Sequence, residues 1–353
     1  MKKRIIALML TAALTLSSCG NTQQAETTTS AEVTTTVSDV AEETSVTTEK
    51  EAAETTAKEE TPAVIPERPT NEELTPAVWK VTDPESGNSL NMMGTIHIVP
   101  KSEGLVPKYV MDIYNSSDGV AVEYDVSKIQ TDMVVQIMYL SYFVLNDGTT
   151  IQDHLSPETY EKAKAHLTEL GLYNESFEGY NASYWESLVT SGTIITLEDM
   201  SETGVDAYFI GLAKEDGKEV RSIEKLETQM NALGATSDAY CDYSISEMLT
   251  LSTEEFEEMF MELYNVWATG DMDAYLEMDS ASNEEMPEEI KADYELYNEK
   301  LLTERNIGMA DVAEEYIKNG DNIFYMVGFA HFCGEGSVID LLEERGYTVE
   351  KIH

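Results

Sequence analysis

Apolar positions along this chain fall into three regimes, each predicting a different kind of structure. Between Ile5 and Leu16 they are nearly continuous, behind the charged Lys2-Lys3-Arg4 and ahead of Leu16-Ser17-Ser18-Cys19-Gly20. From Asn21 to about Thr70 they are isolated among Thr, Glu and Ser, with no aromatic residue. From about Leu74 to His353 they recur with strand and helix periods. The boundaries predicted are a leader over 1–18, a tether over 19–70 and one globular domain over 71–353.

Within the domain, Asn88 to Met93 reads as a strand ended by Gly94. Leu105 to Tyr114 reads as a helix, with Val106, Val110 and Ile113 at helical spacing, and Gly119 to Val126 as a second strand. Strand, helix and strand in so short a span make a βαβ unit, whose two strands run parallel. The C-terminal end repeats the shape. Ile323 to Val327 is a strand ending in Gly328, Ser337 to Arg345 a helix closed by Gly346, and Tyr347 to Ile352 a last strand.

The segment between the two units is mainly helical. Ser156-Pro157-Glu158 opens a helix with a capping serine and proline in its first turn. Ser252 and Glu255 form a capping box ahead of Phe256, Met259, Phe260, Leu263, Tyr264 and Trp267, a stripe that reads as core rather than a ligand box. A long acidic helix is expected from Pro287 to Ile317. The fold class is therefore α/β: a mixed central sheet from two βαβ-type units, with a large helical insertion between them.

Composition sharpens this picture at the ends and on the surface. A charged start, a short apolar run and small residues before a cysteine form a secretory leader, and the run is too short for a permanent membrane span. Leu16-Ser17-Ser18-Cys19 resembles the bacterial lipobox, which makes Cys19 the lipidated first residue of an extracytoplasmic, membrane-anchored protein; plain secretion is the alternative. The Thr/Glu tether lacks the apolar surface to offset its ordering entropy, so it reads as disordered. A net charge of −45 argues against nucleic acid as a partner. Beyond Cys19 only Cys241 and Cys333 remain, which the compartment allows to pair and the sequence cannot place.

Two tetrapeptides carry the candidate chemistry: Gly94-Thr95-Ile96-His97 and Gly328-Phe329-Ala330-His331, each behind an apolar run. A strand-ending glycine permits a sharp exit and close backbone approach, and the imidazole three residues on then sits at the sheet edge. Parallel strands bring their C-terminal ends to one edge, where open α/β sheets bind ligands. Glu123, expected near the end of the second strand and facing the same way as Asp125, joins His97 and His331 there. Two imidazoles and one carboxylate with open positions suit a catalytic divalent metal. Taken singly, each His also fits a loop or capping role, and Glu123 a surface pair with Lys128.

Arg305 has Leu301, Leu302, Gly308 and Met309 at helical neighbour positions, hence an apolar setting in which a lone guanidinium is very costly. It either anchors a substrate carboxylate or oxyanion, or pairs with a buried acid. His154, His166 and His353 read as structural or surface residues. Whether Asp125, Glu224 or Cys333 joins the site is open at this stage.

With these residues in view, the chain resembles the TraB/GumN family, whose animal relatives are the Tiki proteases, over Trp79 to Ile352. The blocks that carry the likeness are Asn91 to Pro100, Val120 to Asp125, Gly204-Val205-Asp206, Ile223 to Gln229, Glu304-Arg305-Asn306, Val327 to His331 and Arg345 to Val349. The resemblance implies a fold shared with erythromycin-esterase-like and haem-binding ChaN-like proteins. It also implies a metal-dependent hydrolase site of His97, Glu123 and His331, with Mn, Co or Zn as the metal, Glu123 as ligand or general base, and Arg305 assisting. Tiki-type members are peptidases, and some bacterial members are linked to shutdown of peptide pheromones. A surface-anchored peptidase is thus the leading expectation. A non-catalytic peptide or metal-complex binder and an ester hydrolase are its competitors. One departure, Tyr184-Trp185 where the family has Pro-Trp, concerns local packing; the acidic middle points to cationic or neutral peptides.

Overall fold

A computed structural model describes residues 68–353, apart from 103 and 202. The leader, the lipidation candidate Cys19 and all but the last three residues of the tether lie outside the described residues. Among the described residues, no helix is long and apolar enough to cross a membrane.

The chain forms strands β1 (Val78–Thr82), β2 (Ser89–Thr95), β3 (Val99–Pro100) and helix α1 (Lys108–Ser116), then β4 (Gly119–Val122). Five helices follow: α2 (Ser127–Thr131), α3 (Met133–Ser141), α4 (Pro157–Glu169), α5 (Ala182–Ile195) and, after β5 (Met200–Ser201), α6 (Val205–Glu215). After β6 (Glu219–Ser222) come α7 (Leu226–Leu233), α8 (Asp238–Met248), α9 (Thr253–Thr269), α10 (Met272–Glu285), α11 (Glu288–Asn298) and α12 (Glu304–Asn319). Strand β7 (Ile323–Gly328), α13 (Val338–Glu344) and β8 (Thr348–Lys351) close the domain.

The six-stranded sheet has the order β6-β4-β7-β2-β1-β8. Strands β6, β4, β7 and β2 are mutually parallel, and β1 runs against both β2 and β8, so the sheet is mixed and the fold α/β. The two βαβ units do not sit side by side as separate halves. Strand β7 inserts between β2 and β4, and β8 passes to the far edge beside β1.

Burial explains the centre. Every residue of β4 and β7 is buried, as a parallel strand covered on both faces requires. On one face Phe324 meets Phe209 of α6, which in turn packs on Tyr114 of α1. On the other, Tyr325 lies against Tyr316 of α12 and donates its hydroxyl hydrogen to the Met309 carbonyl at 2.9 Å. Arg68 clamps the start of the described chain to Asp216, at the end of α6, with contacts of 2.7 and 2.9 Å.

Local signals set most helix ends. Ser156 caps α4 with proline in its first turn, and Ser252 with Glu255 forms the expected box on α9. Gly270 and Gly320 end α9 and α12 in left-handed conformation, which a side chain would strain. Helix α1 starts at Lys108 rather than Leu105, because Pro107 is its N-cap and disfavours helical backbone at Val106. The acidic helix expected over 287–317 is α11 and α12 joined by a π turn over Glu299–Thr303, a distortion often found at functional sites. Cys241 and Cys333 are free and buried, so the bridge the compartment allowed is not formed.

Candidate active site at the carboxyl edge of the sheet

The order β4-β7-β2 brings three strand ends together, and the register sets their level: Val122 faces Met326, and Thr95 faces Gly328. His97 lies two residues beyond β2, Glu123 one beyond β4 and His331 three beyond β7. Strand β4 stops at Val122, four residues short of expectation. One reason lies in the neighbouring strand, where the Gly328 N–H donates to Glu123 Oε1 at 2.7 Å. Glu123 and Asp125 both lie beyond the end of the strand, so the two-residue alternation that gave them a common direction does not apply. Asp125 instead accepts from Ser127 and pairs with Lys214 at 3.2 Å.

Glycine makes this crowding possible. A Cβ on Gly328 would stand 3.2 Å from Glu123 Oε1, and one on Gly94 only 2.7 Å from the Phe329 ring. Gly204, the N-cap of α6, lies so close to His97 that a Cβ would meet the His97 carbonyl carbon at 2.3 Å. That approach aims the first turn of α6 at the imidazole, and Asp206 Oδ1 accepts from His97 Nδ1 at 3.1 Å.

The two imidazoles are oriented alike and charged differently. His331 Nδ1 donates to Asn306 Oδ1 at 2.6 Å, and Asn306 is fixed by giving its amide hydrogen to the Gly336 carbonyl. With Nδ1 used as donor on both rings, each Nε2 is the atom left for a ligand, the usual arrangement around protein metals. Burial pushes the His331 pKa down to about 3, so this ring is neutral and its Nε2 carries a lone pair. Burial also acts to lower His97, but Asp206 and then Glu123 outweigh it and raise the value to about 9.

Glu123 is ionised. Burial opposes its charge, yet Arg305 and the nearby imidazoles hold it well below the usual carboxylate range. Its Oε2 accepts from Arg305 Nη2 and from Gln229 Nε2. Its Oε1 faces His331 Nε2 at 3.7 Å, two acceptors with no proton between them.

Arg305 occupies the interior behind Glu123. Its Nε and Nη2 contact both oxygens of Glu224 at 2.8–3.2 Å, and Nη1 donates to the carbonyl of Leu301 in the π turn. Of the two roles open to Arg305, the structure shows the buried pair: its fork is held by two carboxylates and a backbone oxygen. Glu224 touches Arg305 and lies behind Glu123, while Cys333 gives its S–H to the Phe329 carbonyl and burial pushes its pKa to about 12.

Among the described residues, no group of three or more His, Cys, Asp or Glu stands in ligating geometry for a metal. The donor chemistry nevertheless fits a cation: a neutral imidazole lone pair opposite an ionised carboxylate, with a second imidazole on the same edge. Asp206, Asn306 and Gln229 orient these groups. All three lie in blocks that carry the family likeness, but the sequence assigns them no role, because their partners are distant along the chain.

An apolar pocket opens beside His97. It is lined by Phe260, Leu263 and Trp267 of α9, Tyr275 of α10, and the turns after β2 and β7. Part of the stripe expected to be only core therefore also faces the site.

A family model described as TraB/PrgY/gumN matches residues 77–351. Among curated proteins the chain is similar to Metalloprotease TIKI2 of Danio rerio, 21% identical over 77% of this chain and 60% of the relative. It is also similar to Metalloprotease TIKI2 of Xenopus tropicalis, 23% identical over 73% and 57%, and to Metalloprotease TIKI1 of Homo sapiens, 24% identical over 80% and 63%. The chain thus spans about three fifths of the length of these relatives. No solved structure matches it significantly.

Proposed function

Because the chain belongs to the TraB/PrgY/gumN family, we propose that it is a metal-dependent hydrolase cleaving peptides outside the cytoplasm, anchored to the membrane through Cys19. The observation that carries this reading is the pair of imidazoles at one sheet edge. Each has Nδ1 tied to an oxygen acceptor, and His331 Nε2 faces an ionised carboxylate. The name metalloprotease borne by the similar animal proteins points the same way.

His97 Nε2, His331 Nε2 and Glu123 Oε1 would hold the metal, with Mn, Co and Zn as candidates. When bound, it supplies Lewis-acid polarisation of the scissile carbonyl and a more acidic water. Glu123 serves better as ligand than as general base. A base works best with a pKa near the working pH, and Arg305 holds Glu123 far below that. Arg305 is a positioning residue, fixing the Glu123 carboxylate and keeping it charged. Asp206 and Asn306 hold Nδ1 of the two rings and leave Nε2 as the ligating atom; on His97 that nitrogen would give up its proton as the cation binds.

Metal content and peptide cleavage by the purified protein test the proposal. Stoichiometric metal, with cleavage lost on chelation and restored by Mn²⁺, Co²⁺ or Zn²⁺, is expected. Peptide binding without products would identify a non-catalytic binder, and turnover of esters alone an esterase. Gly328→Ala should lower turnover about 10- to 100-fold, since an added Cβ 3.2 Å from Oε1 displaces Glu123. Unchanged turnover in a folded variant would show that the position of Glu123 is unimportant.

A further inference from the structure

The pocket beside His97 is a second feature of the same edge, and the chemistry above does not use it. We propose that it receives an aliphatic side chain of the substrate, next to the bond being cleaved. The inference rests on the hydrolase reading and adds a substrate class to it. The pocket is a narrow cavity of about 50 Å³ behind an open mouth, and runs from His97 and Gly328 to the flank of α9.

Its walls are apolar and already in place. Phe260, Trp267, Tyr275, Phe329 and Ala330 are each at most 5% exposed, and Leu263 is 7% exposed. Trp267 is pinned by donating its indole hydrogen to the Gly94 carbonyl at 2.9 Å, on the strand that carries His97. Tyr275 meets Phe329 edge to face, with ring centres 5.8 Å apart. A preformed pocket of this kind costs little to order on binding.

His97 is the one ionisable lining side chain apart from the buried Tyr275 phenol, whose pKa burial drives far upward. A Lys side chain entering the pocket would lose its water and gain no opposite charge in the walls, and an Asp or Glu would meet only His97, whose charge Asp206 already balances, while an aliphatic one would exchange water for close contact. His97 and Gly328 line both the pocket and the candidate metal edge, which puts the bound side chain beside the reacting carbonyl.

The test is a peptide library varied at the residues flanking the cut, digested by the metal-loaded protein. The expected result is a preference of about 10- to 100-fold for Leu, Ile or Met over Asp, Glu and Lys at one flanking position. Leu263→Trp fills the pocket and should shift preference toward Ala by about tenfold, whereas Leu263→Ala enlarges it and should favour Phe. Cleavage with no such preference, or a preference that neither variant moves, would overturn the inference and leave the hydrolase standing.

If nothing is cleaved, ligand-observed NMR with N-acetyl-leucine methylamide and its aspartate analogue still decides. Saturation transfer to the leucine compound alone, lost in Leu263→Trp, supports the pocket while the hydrolase fails; no transfer to either rejects the pocket.

Discussion

Arg305→Met should destabilise the protein by about 3–5 kcal/mol, read from urea unfolding at neutral pH. The side chain is 7% exposed and sits between Glu123 and Glu224, whose side chains are 15% and 6% exposed. Removing the cation leaves two carboxylates close together in the interior, and an uncompensated buried charge costs far more than an exposed pair is worth. The deficit should narrow as pH falls. Glu224 is already raised above 4.5 by burial, with Arg305 resisting, so it climbs further without Arg305 and takes up a proton earlier. Glu123 has the opposite sign: its depressed pKa stabilises the fold above 4.5, and that contribution disappears as pH drops through the folded value. Adding Glu224→Gln should recover part of the loss. A deficit below about 1 kcal/mol would mean that water replaces the guanidinium, contrary to the burial of all three groups.

The positions of His97 and His331 were legible because a local pattern encodes them: an apolar run, a strand-ending glycine, and a histidine at fixed offset. Parallel strand direction followed from the βαβ units, and direction alone placed both rings and Glu123 on one edge. Strand order was not legible. That β7 lies between β2 and β4 depends on contacts over some two hundred residues, and no local period records them.

The groups that orient the site were hidden for the same reason. His97 and Asp206 are 109 positions apart, and Glu123 and Gln229 106. Asn306 could have been suspected, since it follows Arg305, but its contact with His331 depends on how α12 packs beside the turn after β7. For Arg305 the apolar neighbours announced burial and left the partner open. Glu224 supplies it from the turn between β6 and α7, where the Glu224 N–H also donates to the Glu123 carbonyl at 2.9 Å.

The site thus resolves into an outer set of atoms that can meet a ligand and an inner set that holds them. His97 Nε2, His331 Nε2 and Glu123 Oε1 form the first; Asp206, Asn306, Gln229, Arg305 and Glu224 form the second. A carboxylate pinned by an arginine, a backbone N–H and an amide has little freedom to move a proton. It has the fixed position and full charge expected of a ligand.

His97→Ala and His331→Ala should each lower peptide turnover by about 10³-fold or more, and the double variant should lose little beyond either single. If both rings hold one metal, removing the first already dismantles the site, so the second substitution has nothing left to break. Two independent contributions would instead multiply. Metal content separates the two cases further: shared ligation predicts that each single variant loses bound metal. Unfolding free energies keep the comparison honest, because His331 is buried and its loss leaves Asn306 without a donor, at a cost of about 1–3 kcal/mol. His97 is 28% exposed at its side chain and should cost less. Folded single variants with normal metal content and turnover would remove the imidazole pair from the mechanism. Losses that multiply would keep both rings but end their common site.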